Sequence, residues 1–249
     1  MTAAVRLDKL HYRYGREQVA LHEISLTIEA GECVGLIGPN GAGKSTLLMH
    51  LNGFLPETLP LTPAIFIDGE PLCTATLPKI RRHVGVMFQD PDDQLFCPTV
   101  FDDVAFGPTQ FGLTGAALQD VVTRALTKVR LSGFEQRSPH HLSLGEKRRV
   151  CLAGVLACDP KVLVLDEPTS DLDPRGKREL LDLLHHLPTT RIVASHDLDM
   201  VAALCSRVFV LDEGRLIASG NTHEVLANEA LMLAHGLEKP HSLRHQHPH

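Results

Sequence analysis

The sequence predicts an α/β fold, a mostly parallel sheet with flanking helices and an inserted helical lobe. Three observations predict it. Short apolar runs alternate with segments of helical period, the pattern of β-α-β units. One such run, "CVGLI", opens into the glycine-rich "GPNGAGKST" and then into a helix. Between Gln89 and Asp159 the strand signal disappears while helical periodicity continues, which marks that span as an insertion.

The elements follow in order. The first strand carries Tyr12 and Tyr14, the only tyrosines, on one face by period-two alternation. "EISLTI" and "ECVGLIG" read as strands divided by a turn at Gly31, and a helix follows Lys44. "AIFID" and "VGVMF" are the next strands. Val100, Phe101, Val104 and Ala105 then make an apolar stripe at helical spacing that ends at Gly107-Pro108. Helices are expected from Thr114 to Val129, Gly145 to Cys158 and Pro174 to Leu187, and again after Asp197 and after Asn221. Between them "VLVLDEP" and "RIVASH" are strands, and "RVFVLDEGRLIASG" is a hairpin turning at Glu213-Gly214. The chain reads as one domain over 1–239, its helical lobe at about 90–158, with a His-rich tail over 240–249.

Composition narrows the classes. A formal charge of −6 over 249 residues argues against a broad nucleic-acid surface. The six cysteines include no CxxC pair, which fits reduced thiols used as small apolar residues. No apolar run approaches the ~20 residues that cross a bilayer, and the N-terminus lacks a signal-peptide profile. Any membrane role is therefore expected to come through a partner.

The stretch Gly38-Pro39-Asn40-Gly41-Ala42-Gly43-Lys44-Ser45-Thr46 fits G-x-x-x-x-G-K-[ST]. Glycines let backbone N–H groups converge on phosphate oxygens, and the helix that follows adds its positive end. Lys44 suits β/γ-phosphates and the Ser45 hydroxyl suits Mg²⁺, so the site is expected to bind a nucleoside triphosphate. Asp166 and Glu167 end an apolar strand, where ligands of open α/β sheets bind. Adjacent acids there are costly to bury without a cation. Asp166 is expected to hold Mg²⁺ and Glu167 to polarise the attacking water.

With these motifs in order, followed through "MFQD", "LSLGE", "LDEP", "SDLD" and "ASHD", the chain resembles the ATPase subunits of ABC transporters over about residues 5 to 235. The resemblance implies ATP and Mg²⁺ as cofactors, an antiparallel β subdomain near the N-terminus, and roles for the matching residues. Gln89 would approach Mg²⁺ and the attacking water, His196 the γ-phosphate, and Tyr14 the adenine; Tyr14 reads equally as a strand aromatic filling the core. Ser143, Gly145 and Glu146 would contact ATP held by a second subunit, and Asp173 would lie at the contact between the two. Read from the residues alone, Ser143 and Glu146 form a capping box, and Asp173 and Asp197 cap helices. Leu144 and Glu146 depart from the usual LSGGQ.

The segment "DPDDQLFCPTVFDDVAFGP" resembles the ATPases of energy-coupling-factor importers, which take up vitamins and transition metals, and "LSLGEKRR" resembles their cobalt/nickel members. This implies a second ATP-binding subunit, read as a homodimer with a heterodimer left open, at the cytoplasmic face of the membrane, beneath integral coupling and substrate-binding subunits, with no nucleic-acid partner. His241, His245, His247 and His249 have a spacing suited to Ni²⁺ or Co²⁺, or form a solvated tail. The alternatives are a vitamin-specific importer ATPase, a soluble ABC-type ATPase of DNA repair or translation, and a metal-delivery protein.

Overall fold

The computed structural model of the protein describes residues 3–15 and 18–244. Two long strands open it, β1 (Ala3–Tyr14) and β2 (Gln18–Glu29), paired antiparallel. A turn through Gly31, whose φ of 80° suits glycine, leads into β3 (Cys33–Ile37) and then α1 (Lys44–Leu51). β4 (Ile65–Ile67) pairs with β1, and β5 (Glu70–Pro71) pairs with β4, completing an antiparallel sheet of order β2-β1-β4-β5. α2 (Leu77–His83) and β6 (Val84–Met87) come next. Helix α2 has no counterpart in the sequence expectations, because Ile80 is its one buried residue and no apolar stripe betrays it.

Between β6 and the next strand the described chain is helical: a 3₁₀ turn at Pro91–Asp93, α3 (Val100–Gln110), α4 (Gly115–Lys128), a 3₁₀ turn at Pro139–His141 and α5 (Leu144–Leu156). Thr114 stands at the N-cap position of α4 without a side-chain capping bond, and α4 and α5 lie within two residues of their expected bounds. Helix α3 instead runs on past Gly107-Pro108, where the stripe was expected to stop. Pro108 falls in the last turn, so its missing N–H forfeits a single helical bond. A Cβ on Gly107 would collide with the Cys158 sulfur, so the glycine lets α3 lie close to the end of α5.

The chain then alternates through β7 (Val162–Asp166), α6 (Pro174–His185), β8 (Thr190–Ala194), α7 (Leu198–Leu204), β9 (Arg207–Asp212) and β10 (Arg215–Asn221). Three short helices follow, α8 (Thr222–Ala227), α9 (Glu229–Ala234) and α10 (His241–Arg244). The second sheet has the order β10-β9-β3-β8-β7-β6, parallel from β9 to β6 with β10 antiparallel at the edge.

Strand β7 shows why its sequence is apolar throughout: every residue is buried. Val162 and Val164 face the core shared with the antiparallel sheet and α1. Leu163 and Leu165 face the core shared with the helical lobe, α6 and α7. The second core also takes in Leu243 of α10, which draws residues beyond 240 into the fold. Of the histidines singled out near the C-terminus, His241 opens α10, while His245, His247 and His249 lie outside the described residues. Among the described residues no helix is long and apolar enough to cross a membrane.

Candidate active site

The loop between β3 and α1 depends on two glycines. Gly38 has φ 155° and a Cβ there would run into the Leu211 carbonyl oxygen. Gly43 precedes α1 with φ 99°, where a Cβ would sit 2.8 Å from the Ala20 carbonyl oxygen. The first turn of α1 carries no acidic side chain, so nothing on the helix itself offsets the positive charge of its N-terminus. Lys44 is only 8% exposed, and its Nζ donates to the carbonyls of Gly38 at 2.8 Å and Pro39 at 3.0 Å. Burial pulls the Lys44 pKa down, while Glu167 and Asp166 pull it up.

Asp166 and Glu167 stand at the carboxyl end of β7, opposite this loop. Burial pushes the Asp166 pKa up, and Glu167 adds to the shift, against a hydrogen bond with Ser45 and the charge of Lys44. A buried carboxyl beside a hydroxyl suits a hard divalent cation, whose charge would relieve that penalty; Ser45 and Asp166 would hold it, with Gln89 on the same cavity. The backbone of Glu167 is left-handed, φ 45°. Its carboxylate is held by the end of β8: Oε1 accepts from the His196 backbone N–H at 2.9 Å and lies 2.9 Å from His196 Nδ1, and Oε2 accepts from Ser195 Oγ at 2.8 Å. Asp197 accepts from the Met200 backbone N–H as the cap of α7.

These groups share an open cavity of about 1080 Å³. Tyr14, Gly38 to Gly41, Gly43 to Thr46, Gln89, Asp166, Glu167 and His196 all line it. Ala42 is the one loop residue that does not, since its methyl turns into the core beneath. Tyr14 is 41% exposed, so it does not fill the core, and its hydroxyl lies 3.2 Å from Thr46 Oγ1. Tyr12 supports it edge-to-face at 4.8 Å between ring centroids.

Ser143, Gly145, Glu146 and Asp173 do not line this cavity. The capping box forms in full: Ser143 Oγ accepts from the Glu146 N–H at 3.4 Å, and the Ser143 N–H donates to Glu146 Oε2 at 2.8 Å. The Ser143 hydroxyl also donates to Glu146 Oε2 at 2.7 Å, and this bond first, then the one from the Ser143 N–H, holds the Glu146 pKa below its ordinary value. Asp173 accepts from the Gly176 N–H at 2.6 Å, with Pro174 as the first residue of α6. Leu144 is the first residue of α5, and its φ is not positive, so this backbone does not require the usual glycine there.

Sequence reasoning missed several contributors. Ser195 anchors Glu167 but belongs to no phosphate-binding pattern. Gln18 to Ala20, Glu213 to Arg215 and Gly236 to Pro240 complete the cavity wall from β2, the β9–β10 turn and the segment before α10. Only the fold brings them together. Arg148 was hidden in "EKRRV", which looks like a solvated face, yet it is 2% exposed. Its positions i+3, i+4 and i+7, Cys151, Leu152 and Val155, are buried too, a stripe that the sequence does contain.

The family model for ABC transporters matches residues 21–170. A putative ABC transporter ATP-binding protein of Gloeobacter violaceus is 50% identical over 239 residues, covering 95% of this chain and 97% of that protein. The energy-coupling factor transporter ATP-binding protein EcfA of Methanothermobacter thermautotrophicus is 45% identical, covering 95% of this chain and 76% of that one. Among solved structures, cbiO1 of Clostridium perfringens, part of the ABC transporter complex cbiONQ, superimposes with a TM-score of 0.82 at 38% identity, covering 94% of each chain. The phosphate loop, the paired acids and these likenesses agree: the chain belongs to the ABC transporter family, as one of its ATP-hydrolysing subunits.

Proposed function

We propose that the protein powers an energy-coupling-factor importer for cobalt or nickel, as a pair of identical subunits that clasp ATP between them beneath integral membrane partners. One observation carries the reading. The chain's own cavity gathers the phosphate loop and the acids, while Ser143, Gly145 and Asp173 form a separate, outward-facing set. Gly145 adds to this. Its φ is not left-handed, and a Cβ there would meet only Leu172 Cδ2 at 3.8 Å. Nothing inside the subunit asks for glycine at that helical position, so the demand comes from outside, such as a phosphate brought close by a second copy. The likenesses to EcfA and cbiO1 support the importer class; the metal cargo and the position at the cytoplasmic face rest on the resemblance of "LSLGEKRR" and of the helical lobe.

The residues perform the reaction as follows. The loop N–H groups, the N-terminus of α1 and Lys44 bind the β- and γ-phosphates and stabilise charge that develops on them. Bound Mg²⁺, held by Ser45 and Asp166 with Gln89 nearby, supplies further charge neutralisation on the phosphate oxygens. Glu167 orients a water for in-line attack on the γ-phosphorus, and Ser195 and His196 aim its carboxylate. His196, with its side chain 66% exposed, contacts the γ-phosphate, and Tyr14 packs on the base. Ser143 and Gly145 of the second subunit complete the site from the far side.

The helical lobe carries the contact with the membrane partners. Phe96 and Phe106 stack edge-to-face at 5.0 Å and are 63% and 47% exposed, and Asp92 and Asp93 precede Phe96 in the chain. Lys147 of α5 donates to Asp92 at 2.6 Å, which ties that surface to the helix bearing Ser143. The test is co-expression with candidate membrane subunits and measurement of ATP-dependent cobalt and nickel accumulation. Accumulation that vanishes with Glu167→Gln is expected. Uptake of a vitamin and no metal would overturn the cargo, and full ATPase activity as a strict monomer would overturn the paired site.

A further inference from the structure

Arg148 is a buried cation with an unusual set of partners. It projects from the second turn of α5, and among the described residues no carboxylate lies within ion-pair distance of it. Its guanidinium donates instead to main-chain and hydroxyl oxygens of the turn after β7. Nη1 reaches the Glu167 carbonyl at 3.2 Å, and Nη2 reaches both the carbonyl and the Oγ of Ser170 at 2.9 Å. Ser170 in turn donates through Oγ to the Glu167 carbonyl at 3.0 Å. Nε has no partner. Burying a guanidinium without a directly paired carboxylate is costly, eased by the more distant charges of Asp171, Asp90 and Glu167, and an apolar side chain of similar volume would fill the space more cheaply. The neighbouring Arg149 shares the unpartnered Nε but has the carboxylate that Arg148 lacks, Glu179 of α6.

What the guanidinium grips is the backbone of the residue whose carboxylate faces the cavity. Glu167 is therefore clamped twice. Ser195 and His196 hold its side chain from β8, and Arg148 with Ser170 holds its left-handed main chain from α5. Helix α5 is also the one whose first turn is Ser143 to Glu146. A shift or tilt of α5 that follows engagement of its tip moves the guanidinium, and the guanidinium moves the Glu167 carbonyl.

We propose that Arg148 is a positioning residue that ties the Glu167 backbone to helix α5, so that hydrolysis at one subunit's own cavity responds to what the same subunit's Ser143 tip binds on the other. This rests on the roles of Glu167 and Ser143 under the proposed function, and it adds a route by which the two sites sense each other. Arg148 touches no nucleotide in this arrangement and acts only through Glu167 and Ser170.

The test measures ATPase kinetics and nucleotide affinity of the full chain carrying Arg148→Gln, Arg148→Lys, Ser170→Ala or Glu167→Gln. Misplacing a reacting group by up to about 1 Å lowers kcat by about 10- to 100-fold without a matching loss of binding. The expected result for Arg148→Gln is that fall in kcat, with KM and nucleotide Kd within about threefold of wild type. Arg148→Lys should recover part of the loss, since an ammonium still reaches one carbonyl. In a double-mutant cycle with Ser143→Ala the two losses should be non-additive. If the Arg148 variants fail to fold, Ser170→Ala decides: it removes the hydroxyl between Arg148 and Glu167 and should lower kcat alone. An unchanged kcat in Arg148→Gln, or in Ser170→Ala where that variant decides, while Glu167→Gln is inactive overturns the proposal. A rise in KM equal to the fall in kcat/KM, or additive losses with Ser143→Ala, overturns it as well. A fully active Glu167→Gln overturns the underlying reading instead, so the two failures are distinguishable.

Discussion

Gly145→Ala separates what the fold requires from what the assembled pair requires. In the isolated subunit the new methyl meets Leu172 Cδ2 at 3.8 Å, an ordinary contact, and the backbone is already one that alanine adopts. Alanine is favoured over glycine inside a helix by about 1 kcal/mol, and by less near the first turn. The nucleotide-free protein should therefore gain up to about 1 kcal/mol, a rise in Tm of about 2–4 °C for a chain of this size. Turnover should move the other way. A methyl that blocks one hydrogen bond to a charged phosphate costs about 1.5–3 kcal/mol. That corresponds to a fall in rate of about 10- to 100-fold. The assay pairs thermal melts without nucleotide with steady-state ATPase rates over a range of protein concentrations. A lowered Tm would show that the subunit itself needs the glycine. A rate within about twofold of wild type would remove the argument that a second copy approaches this helix.

Leu144→Gly, by contrast, should change the ATPase rate less than about tenfold, because Leu144 already occupies an ordinary first helical position. Glu167→Gln should nearly abolish turnover while leaving fluorescent-nucleotide binding intact, since the phosphate loop and Lys44 are untouched; retained turnover would end the assignment. Asp166→Asn should separate metal binding from stability. Burial raises the folded pKa of Asp166 above its unfolded value, so its contribution is present at low pH and is lost as pH rises through the folded pKa. Asparagine imitates the neutral acid, so nucleotide-free melts should show the variant gaining on wild type as pH rises, while Mg²⁺-dependent turnover is lost. An advantage that shrinks with pH would contradict the cause assigned to the shift.

The parallel sheet was legible because β3 and β7 are buried on both faces, which forces uninterrupted apolar runs such as "VLVL". Helix α5 was legible at its start because Ser143 and Glu146 satisfy each other's backbone, a purely local event. Helix α2 was not, since a helix that buries one side chain imposes no period on its sequence. The same division holds at the cavity. Gly38 to Thr46 and the acids at 166 and 167 are contiguous in sequence and carry their own spacing. Ala20, Glu213 and Lys239 reach the cavity only through the packing of distant segments, and no local rule selects them. Arg148 lay between these cases: its helical stripe was present, but a run of three basic residues reads first as a wetted surface.

The cavity wall formed by Gly236 to Pro240 has a consequence for biogenesis. Its floor, the loop at Gly38 to Thr46, leaves the ribosome long before that wall exists. Leu243, which anchors the segment behind the wall, joins a core whose other members begin at Cys33. Until translation has passed residue 243, a nascent chain presents an unroofed phosphate-binding loop beside an unfilled apolar seam. The order of synthesis thus runs from floor to wall, and the last part of the cavity to be made is also the last to be packed down.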